Sequence, residues 1–131
     1  MAIELNHLIV PARDKDESAR FYERIFGFAH EPPMGPFAPI RIPSQSLTLD
    51  FDTWESFEPQ HYAFKVSEAE FDEIFGRIVA AGLAYGSGPG TPDDLQINRW
   101  NGGRGVYFRD PGDHLLELLT RDGAAEHSSG S

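Results

Sequence analysis

Between Ser67 and Gly82 the apolar residues Phe71, Ile74, Phe75, Ile78 and Val79 recur at i, i+3, i+4, i+7 and i+8, the spacing of one buried stripe on an α-helix. Ser67 followed by Glu70 is a capping-box signature for its start, and Gly82 stops it. A shorter stripe, Ala19, Tyr22, Ile25 and Phe26, predicts an earlier helix from about Asp14, its N-cap, to Phe26, stopped by Gly27. Both helices open on acidic residues, which the helix macrodipole favours. After each come short apolar or alternating runs set off by Pro and Gly, over 37–42 and 46–51 and then over 105–109 and 114–120. These read as strands. Residues 86–94, GSGPGTPDD, are too rich in breakers for anything but a loop, and such loops often border binding sites.

The two helices belong to a repeated unit. Residues 6–28 read NHLIVPARDKDESARFYERIFGF and residues 60–83 read QHYAFKVSEAEFDEIFGRIVAAGL: a polar residue, a histidine, an apolar strand, then an acidic helix ending at glycine. His7 and His61 hold equivalent places. The expected fold class is α+β, a single domain over 1–121 built of two βαβββ modules at about 3–55 and 58–121, each a curved mixed sheet with a helix on its convex side. The concave side is left for chemistry. The polar, aperiodic tail 122–131 is expected to be a flexible end.

Charge and composition narrow the chemistry. A net charge of −10 opposes binding to nucleic acid or to anionic membrane surfaces. The chain has 0 Cys, so disulfides, thiolate zinc sites and a cysteine nucleophile are excluded, and a metal must be held by imidazole and carboxylate. Residues 1–10 lack the pattern of a leader, and no apolar run approaches ~18 residues. A cytoplasmic protein is expected.

Strand alternation sets Leu5, His7 and Ile9 on one face and Asn6, Leu8 and Val10 on the other. It likewise separates His61, Ala63 and Lys65 from the apolar set Tyr62, Phe64 and Val66, which suits packing beneath a helix. His61 then faces the concavity, and His7 follows by repeat equivalence. Glu117 sits among Leu115, Leu116, Leu118 and Leu119. A carboxylate buried there needs a cation or a hydrogen-bond donor. Two imidazoles and a carboxylate converging from strands make a facial triad with open positions.

Four segments carry a family resemblance: the opening NHLIV, the helix end FYERIFGF, the mid-chain HYAFKV and, above all, GRGVYFRDPGDHLLELLT. Together they resemble the vicinal oxygen chelate superfamily, which includes glyoxalase I, extradiol dioxygenases, fosfomycin-resistance enzymes and bleomycin-resistance proteins. The resemblance spans essentially Ile3 to Arg121. It implies that His7, His61 and Glu117 hold one divalent metal ion per site, whether Fe, Mn, Ni, Co or Zn, and that a small substrate chelates this ion through oxygens. The implied reactions are a glyoxalase-like isomerase or lyase step, or fosfomycin-type ring opening. Extradiol Fe(II) dioxygenation and non-catalytic, bleomycin-resistance-like binding are the alternatives. A homodimer with two sites is also implied, with or without exchange of modules between chains.

Tyr107 is expected either to contact metal-bound substrate or to fill the core. Of Arg104, Arg109 and Arg121, Arg104 is the preferred cation for an anionic substrate. Three departures from family patterns bear on the reaction. Ile9 stands where one class of fosfomycin thiol transferase has threonine. Asp50, the acid nearest to a fourth glyoxalase I ligand, is expected out of register. No histidine matches the separate catalytic one of extradiol dioxygenases.

Overall fold

The computed structural model describes residues 2–122. The expected tail, apart from Asp122, therefore lies outside the described residues. The chain divides into two compact units, Met1–Glu58 and Pro59–Ser131, and each carries one four-stranded mixed sheet and one α-helix.

In the first unit the order is β1 (His7–Ala12), α1 (Lys15–Phe26), β2 (Ala29–His30), β3 (Ala38–Ile42) and β4 (Leu47–Thr53). Across the sheet the strands run β1-β4-β3-β2, with β1 parallel to β4 and the remaining neighbours antiparallel. α1 starts where expected, because the Asp14 carboxylate accepts from the backbone N–H of Asp16 at 3.0 Å and of Glu17 at 3.1 Å, satisfying two of the donors that a helix start leaves open. It ends at Gly27, whose φ of 78° is a left-handed cap that a residue with a Cβ adopts only at a cost. The buried side of α1, Ala19, Tyr22, Ile25 and Phe26, belongs to one core with Val10, Ile40 and Phe51. Tyr22 anchors it, 4.9 Å from the ring of Phe51 and 5.6 Å from that of Phe26. Each such side chain contributes about 1.5–3 kcal/mol on burial.

The second unit repeats this plan with β5 (His61–Lys65), α2 (Glu68–Ala80), β6 (Tyr85–Gly86), β7 (Gly105–Arg109) and β8 (Leu115–Leu119). Its strand order is β5-β8-β7-β6. The Ser67–Glu70 capping box is complete, with Glu70 N–H donating to Ser67 Oγ at 3.1 Å and Ser67 N–H to Glu70 Oε1 at 2.8 Å. Phe71, Ile74 and Ile78 are buried, whereas Val79 is 51% exposed, so the stripe is narrower than its periodicity predicts. Val106, Phe108, Leu116 and Leu118 from the sheet are fully buried. In both units the face that carries the histidine is the one turned away from this core.

Candidate metal centre

In the second unit, strand register gathers three of the expected residues. β5 and β8 pair in parallel with Ala63 opposite Glu117, which puts His61 two residues back on the same face. β7 and β8 pair antiparallel with Tyr107 directly opposite Glu117. The outcome is a cluster in which His61 Nε2 lies 3.0 Å from Glu117 Oε1. The Tyr107 ring centroid is 5.8 Å from that of His61, and Trp100 meets Tyr107 edge-on at 6.1 Å.

Glu117 has the carboxylate that needed a partner, and it has two. Its side chain is 13% exposed against 47% for His61, so the pair opens outward through the imidazole. The phenol of Tyr107 donates to Glu117, and burial, reinforced by the Glu117 charge and this hydrogen bond, pushes the Tyr107 hydroxyl far above its usual range. Tyr107 therefore stays neutral and acts as a donor. Tyr107 is buried at 4% exposure, and its hydroxyl reaches the candidate ligand Glu117.

His7 opens β1 of the first unit and is exposed. Its Nδ1 lies 2.9 Å from Asn6 Oδ1, an acceptor, so Nδ1 carries the proton and Nε2 keeps its lone pair. A fixed tautomer of this kind is how second partners prepare a histidine for a cation. Imidazole nitrogens and a carboxylate oxygen fit a borderline divalent ion such as Fe, Mn, Co, Ni or Zn. Within the second unit, among the described residues, no third His, Asp or Glu joins His61 and Glu117.

Arg104 is not brought to this cluster. Its Nε donates to Glu68 Oε1 at 2.8 Å, and another guanidinium nitrogen lies 2.9 Å from Asp72 Oδ1. The guanidinium also stacks 4.4 Å over the Phe71 ring. Two carboxylates of α2 and an aromatic face occupy it. Arg109 donates to the backbone oxygen of Asp113 at 3.3 Å. The His114 backbone N–H donates to Asp110 Oδ1 within its turn at 2.9 Å, and its Nδ1 accepts from Gln60 N–H at 2.9 Å.

The first unit has a polar face of its own. His7 pairs with Thr48 as His61 pairs with Leu115, so Asp50, two residues beyond Thr48, is the counterpart of Glu117. Arg41, opposite Thr48, lies on the same face.

No family model matches the chain. Among solved structures, the oxidase ChaP-H2 is 49% identical, covering 95% of this chain and 98% of its own, with a TM-score of 0.89. The oxidase ChaP-H1 is 48% identical over 94% of this chain and 99% of its own, at 0.86. The metallothiol transferase FosB of Shouchella clausii (strain KSM-K16) is 29% identical over 121 residues, 88% of this chain and 79% of that protein. The chain belongs to the vicinal oxygen chelate superfamily.

Proposed function

We propose that this chain is a divalent-metal-dependent oxidase of the vicinal oxygen chelate superfamily, acting on a small molecule that binds the metal through two oxygens. The observation that carries this reading is the 3.0 Å pairing of His61 with Glu117, in a chain that matches two oxidases at 49% and 48% identity over nearly its whole length. His61 and Glu117 hold the ion, and His7, presenting a free Nε2, completes the ligand set. When bound, such an ion polarises substrate oxygens as a Lewis acid. Tyr107 is a positioning residue, because its neutral hydroxyl orients Glu117. The protein works in the cytoplasm as a homodimer, and the second copy is a candidate source of His7.

Fosfomycin-type ring opening is the second reading, favoured by the FosB relative. Against it, Ile9 presents an apolar side chain, 51% exposed, two residues after His7, where the thiol-transferase class has threonine.

The test is elemental mass spectrometry after reconstitution with Fe(II), Mn(II), Co(II), Ni(II) or Zn(II), followed by oxygen uptake with ortho-dihydroxy aromatic probes. One ion per chain and metal-dependent oxygen uptake are expected. A chain that stays metal-free overturns the reading. A loaded chain that leaves oxygen untouched but adds thiols to fosfomycin replaces it with the second.

A further inference from the structure

The face of the first unit that carries His7 opens into a cavity of about 660 Å³, within the usual range for small-molecule sites of roughly 300–1,000 Å³. Pro33, Met34, Phe37 and Pro39 form its apolar wall, and Arg41 and Asp50 project into it. The wall is rigid. Met34 and Phe37 bond each other's backbones at 3.2 and 2.9 Å, Glu31 N–H donates to Pro39 O at 3.1 Å, and Lys15 Nζ holds the Pro36 carbonyl at 2.5 Å.

Asp50 is 9% exposed. Among the described residues neither its side chain nor that of Arg41 has a hydrogen-bond or ion-pair partner. The Asp50 carboxylate oxygens are therefore open to a donor arriving from outside the chain, while a guanidinium with no acceptor calls for an oxyanion or carbonyl oxygen. Asp50 faces Pro39 and Arg41 faces Thr48 across the β3–β4 pair, so the two charged residues are diagonal neighbours, roughly 7–8 Å apart at Cα.

We propose that this cavity is the specificity subsite for a planar hydroxylated aromatic acid: Asp50 accepts from its hydroxyl, Arg41 donates to its carboxylate, and the Pro33–Met34–Phe37–Pro39 wall covers its ring. That this ligand is the substrate rests on the oxidase reading. The binding itself does not.

The probe is 6-hydroxy-2-naphthoate, with 2-naphthoate and 2-naphthol as single-group deletions. Calorimetric titration is run on the protein as isolated and again after chelator treatment. The wild-type chain is expected to bind the full probe about tenfold or more tighter than either deletion. Asp50→Ala removes the preference over 2-naphthoate, Arg41→Met removes the preference over 2-naphthol, and each leaves the other preference in place. Equal binding of all three probes, or none, overturns the proposal. So does loss of metal in a folded Asp50→Asn variant, which would make Asp50 a ligand to the ion instead. If Asp50→Ala fails to fold, the wild-type ranking and Arg41→Met still decide. A chain that keeps the probe ranking yet consumes no oxygen sinks the oxidase reading alone.

Discussion

His61 and Glu117 stand 56 positions apart in the chain and 3.0 Å apart in space, because a parallel strand pair sets Ala63 rather than His61 opposite Glu117. That offset of two aims both side chains to the same side of the sheet. Glu117→Gln keeps the shape and removes the charge, so it should abolish metal retention while leaving the far-ultraviolet circular dichroism intact. Tyr107→Phe removes only the donor to Glu117, and partners of ligands are worth about 10–100-fold in metal affinity. Competition with a calibrated chelator should rank the proteins wild type, then Tyr107→Phe, then Glu117→Gln. A Glu117→Gln variant that holds metal as tightly as wild type would remove Glu117 from the ligand set.

The origin of His7 is open to a mixing experiment. In the proposed homodimer, the His7→Ala and Glu117→Ala proteins are each expected to lack metal. If the site joins His7 of one copy to His61 and Glu117 of the other, a heterodimer of the two variants regains one intact site and loses the second twice over. Co-refolding should then restore up to about half of the wild-type metal content per heterodimer, following the twofold logic of such interfaces. No restoration means that each chain builds its own site.

Much of this fold was legible because its signals are local. The Ser67–Glu70 box, the Gly27 cap and the stripe from Phe71 to Ile78 are set by neighbours within a turn or two, and alternation along β5 fixed the face of His61. What was missed depends on pairing. The two-residue strands β2 and β6 are too short to show a period and exist because β3 and β7 offer them an edge. Arg104 looked free in the flexible NGGRG stretch, and only the tertiary fold brings Glu68 and Asp72 to it. That Asp50 shares the face of His7 depends on the β1–β4 pair, which no local signal shows.

Gly86 is fixed by space rather than by backbone angle. A Cβ there would run into the Thr91 carbonyl oxygen and lie 2.5 Å from the backbone carbon of Pro92. Backbone atoms of a loop pinned by Ser87 N–H on Asp94 at 3.0 Å cannot give way cheaply. Gly86→Ala should lower the thermal midpoint, with a cost on the order of 1–3 kcal/mol from overpacking. An unchanged midpoint would show that the 87–94 loop shifts freely.

Arg104 yields a prediction about acid rather than about catalysis. The Glu68 carboxyl is held below its ordinary range by a hydrogen bond from the Thr120 side chain and then by Arg104. A depressed folded-state value means that the contribution is present above the unfolded carboxylate range, near pH 4.5, and fades as pH falls through the folded value. Glu68→Gln should therefore lower the thermal midpoint slightly at pH 7, and its difference from wild type should shrink below about pH 4. Arg104→Met, which keeps a chain over Phe71 but loses the charge, should cost about 1 kcal/mol or less at neutral pH. Metal content and oxygen uptake should both stay at the wild-type level, since the guanidinium faces α2 and not the His61–Glu117 pair. A collapse of activity in a folded, metal-loaded Arg104→Met protein would return Arg104 to the substrate.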